Sequence, residues 1–118
     1  MTRTGCFLAA LAFGFTASIG SALAFDPPPW CELVKNKNPA EKLICSSAEL
    51  TDLDNIMNLT YAFSVDPLPE AEKPILRASQ EDWLTKTRNG CGADAACLKR
   101  VMTIRTNTLE NIHNRMHF

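Results

Sequence analysis

Four cysteines fall in two close pairs, Cys31/Cys45 and Cys91/Cys97, and they constrain the fold of this chain more than any other feature. A fifth, Cys6, lies in an N-terminal segment that reads as an export leader, so its removal turns an odd count of five into an even four. In a short exported chain, four cysteines read as two disulfides, for which three connectivities are open. The local pairing, Cys31 with Cys45 and Cys91 with Cys97, is favoured because both bridges close short loops. Each contributes about 2–4 kcal/mol, and a core this small needs such staples. The competing reading is metal or redox chemistry. No Cys-x-x-Cys occurs, and the only histidines, His113 and His117, sit near the C-terminal end. Structural disulfides are the better reading, with no metal and no cofactor expected.

The leader has three parts of a secretory signal. Arg3 supplies positive charge, an uncharged apolar run extends to Ile19, and Ala22-Leu23-Ala24 is a small-x-small cleavage site. The run is too short for a spanning helix, which needs about 20 apolar residues. Residues 1–24 are therefore expected to be a signal peptide, and 25–118 one small domain in the periplasm or outside the cell, with no membrane attachment after cleavage. Removing 24 residues from 118 leaves 94, enough for a single core. Of the 12 Lys and Arg only Arg3 is lost, and all 13 Asp and Glu stay, so the remainder carries a net charge of −2. Without a basic tract, nucleic acid is excluded as an expected partner, whereas a basic protein is compatible with the charge.

Periodicity predicts an all-α domain, a small bundle of one short and three longer helices braced by disulfides. Pro27-Pro28-Pro29 holds the lead-in extended, through about Lys37, with Trp30 covering an edge of the core. Asn38-Pro39-Ala40-Glu41 combines a cap, a proline suited to the first helical position and a capping-box glutamate, and that helix ends near Cys45. Ser46 and Ser47 offer a cap for a second helix over about 48–63, whose inward stripe is Leu50, Leu53, Met57 and Tyr61 with Ile56 beside it. Asp66-Pro67 and Pro69 break the chain. A third helix starts between Glu70 and Pro74 and ends at Asn89-Gly90, with Leu76, Ser79, Trp83 and Thr87 on one face and Gly90 as its C-terminal cap. Asp94 caps a fourth helix that runs to about His113, with Leu98, Val101, Arg105, Leu109 and Ile112 along one side. The third and fourth helices thus form a hairpin closed by a disulfide. The expected core includes Leu53, Tyr61, Trp83, Leu98 and Arg105.

No catalytic arrangement emerges, and the chain is not expected to be an enzyme. Asp52 and Asp54 cannot share a helix face, nor can Glu81 and Asp82, so these carboxylates read as solvated surface. His113 and His117 have the i,i+4 spacing of metal ligands but sit at a fraying terminus. Ser64 and Ser79 have no histidine close in sequence. Asn58-Leu59-Thr60 matches a glycosylation sequon, yet it falls mid-helix. Arg105 lies on an apolar stripe, so it needs a partner, and Gln80 and Asp54 are the candidates.

Two segments resemble a known family. Pro39-Ala40-Glu41-Lys42-Leu43-Ile44-Cys45 followed by Leu50-x-x-Leu53-Asp54 and Tyr61 is similar to the first half of the LprI-type lysozyme inhibitor domain. Gln80-x-x-Trp83-Leu84-x-x-x-Arg88-x-x-Cys91, then Cys97-Leu98 and Arg105, is similar to its second half. The likeness spans about Cys31 to Leu109. It implies an exported bacterial helical domain that inhibits animal-type lysozyme by protein–protein binding at the enzyme's cleft, with lysozyme as the partner. Such an inhibitor would place a rigid loop against the two carboxylates of a glycosidase cleft. The loops able to do so are 64–69 and 89–94, which makes Ser64, Asp66, Leu68, Asn89 and Asp94 the partner-binding candidates. The alternative expectation is a periplasmic envelope-stress or structural interaction module, an acid-stress chaperone included.

Overall fold

Every helix N-terminus that the sequence equips with a cap begins at that cap. The structure is a computed structural model and describes residues 26–116. The expected leader with Cys6, and His117, lie outside these residues. Helix α1 is Trp30–Leu33, α2 Pro39–Ser46, α3 Ala48–Val65, α4 Lys73–Trp83 and α5 Ala95–Arg115. Leu84–Arg88 forms a π turn and Asn89–Cys91 a 3₁₀ turn after α4. There is no strand among the described residues, and the expected all-α bundle is what forms. At α2 the Asn38 side chain accepts from the Glu41 amide at 2.9 Å while Glu41 Oε1 accepts from the Asn38 amide at 3.0 Å. This reciprocal pair satisfies two N–H groups that the helix cannot. Ser47 caps α3 and Asp94 caps α5 in the simpler one-way form.

The three long segments run up, down and up. Glu49 meets Lys99, and the Ser64 hydroxyl lies 2.8 Å from the Leu109 carbonyl oxygen, so α3 and α5 are parallel. The α4 segment returns between those levels: Leu76 packs with Val65 and Leu109 at one end, and Arg88 reaches Asp54 towards the other. Two apolar clusters result. Ala40, Ile44, Leu50, Leu98 and Met102 fill the end covered by α2, and Met57, Val65, Leu68, Leu76 and Leu109 fill the far end. Both disulfides take the local pairing, Cys31–Cys45 and Cys91–Cys97, and both lie at the α2 end. The first ties α1 to α2, and the second closes the hairpin between the α4 segment and α5.

Several local expectations are corrected. A helical turn, α1, forms where an irregular lead-in was expected. Ile56 faces outward and is more than half exposed. Thr87 is exposed and Arg88 is buried in its stead. The π turn accounts for that exchange. In an unbroken α-helix, three steps of four residues carry a side chain about 120° around the axis from Leu76 to Arg88. The wider turn, closed by the Asn89 amide on the Leu84 carbonyl, takes back part of that rotation and keeps Arg88 on the inner side. The left-handed residue after it is Gly92 (φ 62°), not Gly90.

The two glycines separate in a simple test. Gly92→Ala forces a side chain into a backbone region that only glycine tolerates, and should cost about 1–3 kcal/mol in denaturant unfolding of the oxidised protein. Gly90→Ala meets no atom within 4 Å and should be neutral or stabilising by up to about 1 kcal/mol. In the core, Leu98→Ala should cost about 2–5 kcal/mol, because Leu98 is wholly buried.

Candidate functional site

The most polar part of the interior is built around Arg88. Its Nη1 lies 3.2 Å from Asp54 Oδ1 and its Nη2 3.5 Å from Glu41 Oε2, while Nε donates to Asn89 Oδ1 at 3.1 Å. The guanidinium carbon stands 5.1 Å from the centre of the Trp30 ring. Asp54 Oδ2 in turn accepts from Trp30 Nε1 and from Asn58 Nδ2, both at 3.0 Å. One residue from each of α1, α2, the π turn and the 3₁₀ turn, and two from α3, therefore meet at one point. Asp54 is fully buried and Arg88 nearly so, which corrects the expectation of a solvated carboxylate at Asp54; Asp52 is exposed, as expected. A buried charge needs partners whose hydrogen bonds replace water. Here the planar fork of arginine serves two carboxylates at once, and the indole covers its face. A hollow of about 300 Å³ adjoins the cluster, lined by Trp30, Val34, Glu41, Asn58, Leu84 and Arg88.

A second arginine repeats the pattern one level further along the bundle. Arg105 Nε donates to Gln80 Oε1 at 2.9 Å, Nη2 to Ser79 Oγ at 3.1 Å, and the guanidinium lies 5.9 Å from the Trp83 ring. Of the two partners expected for Arg105, Gln80 is the one it takes; Asp54 belongs to Arg88. Burial pushes the Arg105 guanidinium below its ordinary pKa, with Tyr61 acting in the opposite sense. Gln80 Nε2 completes its own bonding with the sulfur of Met57 at 3.0 Å. Of the expected core residues, Leu98 is wholly buried, while Leu53, Tyr61, Trp83 and Arg105 are half-buried around the two clusters.

The partner-binding candidates divide. Ser64 is buried, 2.7 Å from the Thr60 and 2.8 Å from the Leu109 carbonyl oxygen. Leu68 belongs to the far core. Neither presents a side chain to a partner, which corrects the expectation for Ser64 and Leu68. The exposed residues of the 64–69 segment are Asp66, Pro67 and Pro69. In the 89–94 loop, Asn89 is half-buried against Arg88, while Gly90, Ala93 and Asp94 are exposed. Among the described residues no three His, Cys, Asp or Glu side chains gather as metal ligands would. No helix among them is long and apolar enough to cross a membrane.

Sequence reasoning missed the Arg88–Asp54–Glu41 cluster. Its signal was present: an arginine five residues beyond Trp83 lines up with the inner face only if the helix widens. No family model matches the chain, and neither does any curated protein or solved structure.

The cluster is open to test by substitution. Arg88→Ala leaves Asp54 buried without its cation and should cost about 3–5 kcal/mol. Arg88→Met and Asp54→Leu made together should cost less than the sum of the two made singly, giving a favourable coupling energy in a double-mutant cycle of unfolding free energies.

Proposed function

We propose that this protein is an exported inhibitor of animal-type lysozyme, working by contact at the enzyme's cleft in the periplasm or outside the cell. The observation that carries the reading is the fate of the polar residues shared with the lysozyme-inhibitor pattern. Glu41 and Asp54 are engaged with Arg88, and Gln80 with Arg105, across the bundle. They form a coherent set of fold determinants and leave recognition to the surface. Two disulfides suit an oxidising compartment. The 89–94 loop supports the reading further. It is tied from within to α5 by Cys91–Cys97, fixed at its start by Arg88 and at its end by the Asp94 cap, and it exposes Gly90, Ala93 and Asp94. A loop held in one conformation forfeits little entropy on binding.

The oxidised protein should slow the lysis of bacterial cell walls by animal-type lysozyme in a dose-dependent way, and reduction of its disulfides should abolish the effect. Inserting Gly-Ser between Ala93 and Asp94 should remove inhibition while leaving the far-end packing and most of the helicity in place. Undiminished lysis at a large molar excess of folded, oxidised protein would overturn the inhibitor reading. Inhibition that survives the insertion would overturn the role of this loop.

A further inference from the structure

The outward face of α3 carries a second pattern, independent of the one that builds the core. Glu49, Asp52, Ile56, Leu59, Phe63 and Asp66 follow one another at alternating steps of three and four. This is the spacing of a helical seam that receives another helix. Ile56 is 52 % exposed, Leu59 58 % and Phe63 56 %. The inward stripe of the same helix, through Leu50, Asp54, Met57 and Ser64, is buried on the opposite side. A helix of a small bundle needs only one such face for its own fold, so the second is not required by the packing of this chain.

The charges around the seam select its occupant. Helix α3 contains no lysine or arginine. Glu49 and Asp52 close the apolar stretch at one end and Asp66 at the other. Glu49 is paired with Lys99, whereas Asp52 and Asp66 have no ion-pair partner among the described residues. A second copy of α3 laid along this seam would set acid against acid, at matching ends if parallel and across the ends if antiparallel. An anionic lipid surface would be repelled for the same reason. A helix with apolar residues at three-four spacing and basic residues at both ends satisfies the apolar and the charged parts together. We infer that the outer face of α3 docks such a basic, amphipathic helical segment of a partner protein. The apolar stretch is short, so the contact is of the weak, transient kind. The inference does not depend on lysozyme being a partner.

The test uses the oxidised protein and a fluorescent synthetic helix of about 18 residues, with leucines at three-four spacing through its middle and lysines at both ends. A scrambled peptide of the same composition is the comparison, and fluorescence anisotropy is the readout. Saturable binding is expected for the patterned peptide only. Leu59→Lys and Phe63→Ser should each weaken it by about tenfold or more. Asp52→Lys and Asp66→Lys should each weaken it by a smaller factor and flatten its salt dependence. All four side chains are exposed, so thermal unfolding should stay close to that of the parent and exclude misfolding as the cause. Equal binding of the scrambled peptide, or binding untouched by Leu59→Lys and Phe63→Ser, would overturn the inference. So would a wild-type dimer that Leu59→Lys dissociates, which would assign the face to a second copy. Adsorption to lipid vesicles that is lost in the same variants would also overturn it.

Discussion

One guanidinium joins the parts of this molecule that the chain keeps apart. Arg88 arrives on the π turn and meets Asp54 of α3, Glu41 of α2 and the ring of Trp30 in α1. Each partner is also engaged elsewhere. Glu41 closes the capping box that starts α2, and Asp54 receives the indole of Trp30 and the amide of Asn58. The orientation of α2 over the bundle, the seating of α1 and the pitch of the helix carrying Arg88 are therefore coupled. An arrangement of this kind adds less to stability than its bond count suggests, because removing charges from water is expensive. Its larger effect is on uniqueness, since a rotated α2 or a regular α4 would strand a buried charge.

The disulfides act on the same end by a different route. Cys31–Cys45 spans 14 residues and Cys91–Cys97 only six, so neither closes a long loop in the unfolded chain. Each holds a short element beside the arginine cluster, α1 in one case and the 3₁₀ turn in the other. Covalent and electrostatic constraints thus coincide around Ala40, Ile44, Leu50, Leu98 and Met102, the cluster that α2 covers. The other core, around Met57 and Leu109, relies on packing and on hydroxyl bonds such as that of Ser64.

Much of this architecture was legible in the sequence because it is local. Caps at Asn38, Ser47 and Asp94, breakers at Pro67 and Pro69, and the cysteine spacing each act over a few residues. The misreadings share a cause. Asp54 looks solvated when only its own helix is considered, and its cation lies 34 positions away. Thr87 looks inward until the pitch of the helix changes, and that change depends on the tertiary position of Arg88. Ile56 looks like part of the core because helix α3 has apolar residues on two faces, and periodicity alone does not say which of them meets the rest of the chain. Ser64 and Leu68 sit among breakers and polar residues, which suggests a loop, yet their burial comes from contacts with α5 and α4. Arg105 was legible in its need for a partner and in one of the two partners named for it.

Concentrating the cross-links at one pole gives the molecule an internal gradient of cooperativity. At the α2 pole, separation of the helices requires breaking a covalent ring or exposing a paired charge. At the other pole, the turn from Asp66 to Glu72, the start of α4 and the last turns of α5 are restrained by Leu68, Leu76 and Leu109. Partial opening should consequently begin at the Leu68 pole and meet its main resistance at the level of Arg88. Amide protons of the final α5 turns should therefore exchange with solvent before those near Leu98, and a protease should find its first cut in the Asp66 to Glu72 turn while the disulfide-bound half is still folded.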